Sequence, residues 1–509
     1  MANVISYHVA QPAEGIVLVE CCDSQTCVTD DYRKLYHFIT RATGHALIPR
    51  VVWSLRDTVP ILLSLLPEHI RKEVSESNRA TWEDKGLRYR VYVQCSAHDP
   101  SDYKFFSTNV RGAGQASFEV NVYELDQFFP DDREPSSIAE VQSCVVELLA
   151  CFESFGVSGV KALKSPVAVI EESGLLDELY ESLPDPAGIP AAVKAWAVEV
   201  DTFAVWQSAF QVGYFSKVYS YDISSCYPGR AIKLLDLTGA EYRYSRKILA
   251  DAAYGFLQGK LTINPDHPRA WCSPVVFPVS NYGQTNPVGV IKGKFTLEQV
   301  RYIQQSGLGE FKLSSGWFIF PKSNRQPFAD VMQQLYQQRQ QSLLASQFGK
   351  RVIDGIIGRL GEFHDNIPTP RTNPVYHALI RTGASLQVGR FLWEKQVKQS
   401  DLVLVNTDGF YTLSLLSGVP ERADIGEWRY DGTQRLLVLS SQKYRTDESC
   451  DYLLDEIRAN LDGYRYDSVG GINLLTLWND QERVFKDFPQ MGVELLSRVY
   501  NSDSVRLPK

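Results

Sequence analysis

The chain has 509 residues, 44% apolar and 22% charged, which suits several packed domains; no apolar run nears the ~20 residues of a membrane span. Its net charge of −8 gives no bulk attraction to a polyanion, so any nucleic-acid contact needs a local basic channel. Nine cysteines without a C-x-x-C pair or a His/Cys cluster support neither a zinc site nor a disulfide framework, and the start Met1-Ala2-Asn3-Val4-Ile5 has no secretory pattern, so a reduced, cytoplasmic setting is expected.

In chain order, the first ~200 residues read as α/β, more than one typical domain's worth. Short alternating runs (Arg88 to Val93, Phe118 to Val122) accompany an apolar helical stretch from Val141 to Phe155. Pro184 to Pro190 is rich in turn formers and reads as a linker or domain edge. An apolar strand then ends in Tyr221-Asp222-Ile223-Ser224-Ser225-Cys226-Tyr227-Pro228, delivering a carboxylate to a rim. Pro228 is expected to hold Tyr227 in an extended conformation beside it.

Basic residues follow: Arg243, Arg246 and Lys247 interleave with Tyr242 and Tyr244, and Lys292 and Lys294 sit on a later strand. A Gln-rich helical pattern from Pro327 to about Leu360 carries Arg339 and Lys350, 11 positions apart (350 − 339) and so expected on one helix face. In Leu402 to Phe410, two strand-like apolar runs flank the polar turn Asn406-Thr407-Asp408-Gly409. Beyond Glu448 the pattern is helix-rich. Two strand-end carboxylates brought together by folding make a Mg²⁺ site with positions open to phosphate oxygens.

These segments resemble family B DNA polymerases. Asp222 to Pro228 is similar to motif A (D-x-x-S-L-Y-P), with Cys226 in place of Leu. Lys350 to Gly358 is similar to motif B (K-x-x-x-N-S-x-Y-G), with Asp354, Gly355 and Ile357 replacing Asn, Ser and Tyr. Leu404 to Gly409 is similar to motif C (Y-x-D-T-D-S), with Asn406 replacing the first Asp. The order and the spacings, 128 from Asp222 to Lys350 and 56 from there to Asn406, are similar to those of the small protein-primed phage group.

The resemblance implies an α/β (α+β) multidomain fold: a right-hand polymerase preceded by an exonuclease-like domain. Expected boundaries are 1–190 for the exonuclease-like domain, 191–325 and 376–445 for the palm, 326–375 for the fingers and 446–509 for the thumb. It implies catalysis by Asp222 and Asp408, and Mg²⁺ ligation (two ions, or Mn²⁺) by Asp222, Ile223 and Asp408. Asn406 would be a weaker, neutral ligand. Arg339, Lys350, Ser225, Tyr227 and Asp354 are implied at the nucleotide, with Tyr227 excluding a 2′-hydroxyl by shape. Phe210, Gly213, Gly358, Thr407, Lys443 and Tyr444 are implied at the nucleic acid, with Ile357 loosening the stack on the nascent pair. Expected partners are a primed DNA template, deoxynucleoside triphosphates and a priming or replication protein, in the cytoplasm of a bacterial or phage-infected cell.

The exonuclease motifs are depleted. Asp23 is kept but Gln25 replaces Glu, Asp57 stands one residue early in the second motif, and the third motif near Ala139 to Leu149 lacks its Tyr and Asp. A hydrolytic two-metal site needs about four carboxylates, so proofreading is expected to be absent. The competing expectation is an inactivated polymerase fold serving as a nucleic-acid-binding scaffold, motivated by Asn406, Asp354 and Ile357.

Overall fold

The alternation read from Arg88 to Val93 is carried by strand Leu87–Cys95, where Tyr89, Val91 and Val93 are buried while Arg88, Arg90 and Gln94 face solvent. A strand's period of two presents alternate residues to core and water. The structure is a computed structural model. It describes residues 5–13, 16–21, 26–40, 50–52, 54–95, 103–112, 120–125, 128–129, 135, 137–157, 169, 176–184, 188–202, 204–211, 213–275, 277–279, 283–285, 288–364, 367–438, 444–447, 450 and 505–506. Two units divide the chain: Met1–Tyr180 with Gln334–Ile356, and Glu181–Gln333 with Ile357–Lys509.

The first unit is built on an eight-stranded mixed sheet in the order 26–29, 16–21, 5–13, 50–52, 120–124, 103–112, 87–95, 79–84. Strand Arg50–Val52 pairs in parallel with both its neighbours, and the other pairings are antiparallel. Its core joins Leu35, Tyr36, Val59, Leu62, Ile70 and Val74 from three helices to Tyr89, Val91, Phe106 and Val122 of the sheet. Helix Ile138–Ser154 carries a buried stripe of Val141, Cys144, Val145, Leu148, Cys151 and Phe152. Phe348, within 334–356, receives the rings of Phe152 and Phe155 at 5.0 and 5.1 Å.

The Gln-rich pattern from Pro327 does not form one helix. It divides into Ala329–Gln338 and Leu343–Leu360, and Arg339 lies in the break. Ser342 causes the restart, because its hydroxyl accepts from the Ala345 N–H at 3.0 Å and caps the second helix. Arg339 and Lys350 therefore do not share a helix face by periodicity. They still come near one another, since a Cβ added to Gly349 would lie 2.7 Å from the Cβ of Arg339.

The second unit contains two larger sheets. One has five strands in the order 241–245, 309–320, 254–263, 288–296, 505–506. One face packs Leu257, Leu261, Ile291 and Phe295 against helix Leu297–Gln305, whose N-terminus is closed by a reciprocal Thr296–Gln299 capping box. On the opposite, exposed face, Lys260 stands directly across from Lys292 on one side and Lys312 on the other. The other sheet has six antiparallel strands in the order 444–446, 428–438, 213–223, 409–412, 402–406, 207–209.

Helix Pro374–Glu394 starts at Asn373, whose side chain accepts from Tyr376 N–H, with Pro374 at the first position where no N–H is needed. It is buried on most sides, among others by helix Ala191–Asp201. Asp201 closes that contact by accepting from Arg381 at 2.8 Å and meeting His377 Nδ1 at 2.9 Å. Among the described residues no helix is long and apolar enough to cross a membrane.

Candidate active site

Strand Gly213–Ile223 occupies the middle of the six-stranded sheet and carries Asp222 at its end. Tyr221, next to it, turns inward and stacks on Phe410 at 5.2 Å, with Tyr430 at 5.5 Å. By strand alternation this inward aromatic aims the neighbouring Asp222 away from that core, where it is only half-buried.

The hairpin Leu402–Asn406 / Gly409–Thr412 supplies the second carboxylate. Its turn is held by Thr407, which adopts a left-handed φ of 63° and donates its N–H to Trp206 O at 2.8 Å. Asp222 pairs directly with Gly409, and Ile223 N–H donates to Asp408 O at 3.1 Å. Asp222 and Asp408 thus stand at adjoining ends of hydrogen-bonded strands. Gly409 is required for this closeness: a Cβ there would lie 2.9 Å from Tyr221 O and 3.3 Å from an Asp222 carboxylate oxygen.

The chain leaves Asp222 through Ser225, which has a left-handed φ of 47°, into helix Cys226–Ala231. Tyr227 is therefore helical, not extended as expected. Pro228 lies within the helix's first turn, where the N–H it lacks would have no intrahelical partner. The loop is clamped because Gly229 and Gly426 meet backbone to backbone; a Cβ on Gly229 would fall 2.2 Å from Gly426 Cα. Burial pushes the Tyr227 phenol upward in pKa, opposed by the Arg381 guanidinium beside it. Burial likewise raises the Cys226 thiol, reinforced by Asp408.

Asn406 is engaged through both of its polar atoms. Its oxygen accepts from Gln207 Nε2 at 3.0 Å and its amide donates to the Tyr444 hydroxyl at 2.6 Å. It ties an edge strand, the hairpin and the Tyr444–Thr446 strand together. Tyr444 is raised in pKa by burial, with hydrogen bonds to Tyr411 and Asn406 opposing. Phe210 meets Trp271 edge-on at 5.5 Å, and its N–H donates to Val403 O at 2.9 Å. Gly213 opens the central strand opposite Val438. Lys443 lies outside the described residues, as do Asp23 and Gln25. Asp57 sits exposed in the first turn of helix Leu55–Ser64, whose N-cap is Ser54.

Arg339, Lys350 and Asp354 belong to the first unit. Asp354 is accessible to solvent, yet the protein crowding it raises its carboxyl pKa, with Lys350 and then Arg339 opposing. A Cβ on Gly358 would meet nothing within 4 Å, so the helix surface is open there. Ile357 is buried at 2% exposure. Sequence reasoning missed Gln207, Arg381 and Arg429. Arg429 Nη2 lies 3.1 Å from Asp222 Oδ2, and only strand register brings them together.

Among the described residues no group of three or more His, Cys, Asp or Glu could enclose a metal. Two carboxylates and a main-chain carbonyl are hard oxygen donors that suit Mg²⁺, which commonly takes one or two carboxylates and fills its shell with water and substrate phosphates. The residues present fit such an ion.

In this mixed α/β fold, two carboxylates stand at adjoining strand ends of the six-stranded sheet. The chain is similar in fold to phi29 DNA polymerase, solved with primer-template DNA and incoming nucleotides: TM-score 0.56, 10% identity, 87% of this chain and 86% of that one covered. Phi29 DNA polymerase complexed with single-stranded DNA matches with a TM-score of 0.54 at 10% identity, covering 87% of each chain. At this identity the likeness is one of fold. No protein-family model matches the chain, and no curated protein matches it.

Proposed function

We propose that the chain is a template-directed DNA polymerase that extends a primer 3′-hydroxyl and lacks proofreading. The observation that carries this reading is the juxtaposition of Asp222 and Asp408, fixed by the Asp222–Gly409 pairing and the Ile223 N–H to Asp408 O bond. In this reading the six-stranded sheet belongs to the palm (191–325 and 376–445), 326–375 forms the fingers, 446–509 the thumb, and 1–190 a degenerate exonuclease domain.

Asp222, the Ile223 carbonyl and Asp408 would hold Mg²⁺, or Mn²⁺ in its place. When bound, the ion supplies charge neutralisation at phosphate oxygens and activation of the primer hydroxyl. The chain's own residues do the positioning. Arg339 offers a rigid fork and Lys350 a point charge to the triphosphate of the incoming nucleotide. Asp354 and Ser225 are assigned to the nucleotide by the resemblance of their motifs, and Tyr227 would wall off its sugar. Phe210, Gly213, Gly358, Thr407, Lys443 and Tyr444 would line the primer-template. A priming or replication protein is the expected partner, in a bacterial or phage-infected cytoplasm.

A second reading, a scaffold on an inactivated polymerase fold, is favoured by the commitment of Asn406 to Gln207 and Tyr444. Extension of a labelled primed template with Mg²⁺ or Mn²⁺ separates the two. Incorporation by the unaltered chain, abolished in Asp222→Ala and Asp408→Ala that fold normally, supports the polymerase. Absence of incorporation with every nucleotide type and either metal would favour the scaffold.

A further inference from the structure

Asp222 meets a cation supplied by the chain itself. Arg429 is its register partner on strand Trp428–Val438, and the Nη2 to Oδ2 distance is 3.1 Å. The same Nη2 lies 3.2 Å from Asp431 Oδ1, two residues along and on the same strand face. The guanidinium is thus held by a carboxylate on either side, placed by backbone pairing and not by a chance surface contact. A guanidinium stays charged at any working pH.

The remaining donors make this cation matter. Asn406 brings no negative charge, and both its polar atoms are engaged by Gln207 and Tyr444. This end of the sheet therefore offers two carboxylates, and Asp222 is held by Arg429. An incoming divalent ion competes with Arg429 for the charge of Asp222, and the competition weakens its binding by up to what the ion pair contributed.

We infer that Arg429 is a displaceable counter-ion of the metal site. It keeps the affinity of the free protein for a divalent ion low, so that the ion is loaded together with the anionic triphosphate and not ahead of it. The inference rests on the reading of Asp222 and Asp408 as metal ligands. Asp222 and Arg429 side chains are 30% and 38% exposed, so solvent screens the pair and the effect is a modulation. Partly exposed pairs of this kind correspond to at most about a fivefold change in binding.

The test is Mn²⁺ binding to the full chain without nucleotide or DNA, read from the free-ion electron paramagnetic resonance signal. Arg429→Gln should tighten Mn²⁺ about two- to fivefold, and Arg429→Lys, with its shorter and more strongly hydrated head, by less. Adding Asp222→Asn to Arg429→Gln should remove the gain. If Asp222→Asn alone weakens Mn²⁺ binding while both Arg429 variants match the unaltered protein, the counter-ion is refuted and the metal site stands. If Asp222→Asn leaves Mn²⁺ binding unchanged, the metal-site reading fails and takes the inference with it. Arg429→Lys serves alone should Arg429→Gln not fold.

Discussion

Asn406 and Tyr444 are joined by a 2.6 Å hydrogen bond from the Asn amide to the phenol oxygen, across 38 residues of chain. Together with Gln207, this bond fixes the hairpin that carries Asp408. An Asp at 406 can still accept from Gln207, and the Tyr444 hydroxyl can reverse to donate to it. Asn406→Asp is therefore expected to fold normally and to retain or raise primer extension. Asn406→Leu leaves both partners unmet and should cost about 1–3 kcal/mol of stability, with a loss of extension. Urea unfolding and extension rates measured on the same preparations check both; a large loss in Asn406→Asp would contradict the arrangement.

Gly409 lies so close to the central strand that any side chain must push Asp222 aside. Gly409→Ala should lower the extension rate at least about tenfold, since misplacement by ~1 Å can cost more, while the melting temperature falls only slightly. A mutant with full activity would show that the strand spacing at the carboxylates is not critical.

Tyr227 sits half-buried beside Arg381, in a helical turn whose backbone is clamped by the Gly229–Gly426 contact. In the proposed reading, a ring fixed in this way would exclude a 2′-hydroxyl by shape, without a hydrogen bond. Tyr227→Ala is expected to raise ribonucleotide use relative to deoxynucleotide use. The ratio of kcat/KM for a matched pair reports differential transition-state binding. An unchanged ratio in an otherwise active mutant would leave Tyr227 as a packing residue.

Digestion of single-stranded DNA in the 3′→5′ direction is expected to be absent. Gln25 stands where a Glu would be needed, and Asp57 is an exposed first-turn residue of a helix. A labelled oligonucleotide incubated with metal and without nucleotides should stay full length. Shortening that disappears in the Asp23→Ala/Asp57→Ala double variant would establish an active nuclease.

The parts of the site legible in the sequence were local. Strand, carboxylate and turn at 402–410 follow from apolar runs around a polar tetrad, and the central strand ending at Asp222 follows in the same way. The break at 339–342 was hidden because Gln340 and Gln341 are good helix formers. Ser342 ahead of Leu343 and Leu344 was the available signal, as an N-cap before an apolar run. Tyr227 was misjudged because the restriction a proline places on its predecessor is a preference that a helix's first turn can override. Arg429 and Gln207 could not be found, since their distances to Asp222 and Asn406 depend on strand pairing over 207 and 199 residues.

The row Lys312–Lys260–Lys292 runs across three adjacent strands of the five-stranded sheet. Strands lie ~4.8 Å apart, well inside the ~8 Å over which charges remain felt at physiological ionic strength. The sheet is therefore assembled against its own electrostatic pressure, and the apolar face beneath must hold it closed. Added salt relieves that pressure while weakening any grip on a phosphate backbone. Raising ionic strength should then tighten the sheet and, in the proposed reading, loosen the hold on nucleic acid at once, giving stability and affinity opposite salt dependences.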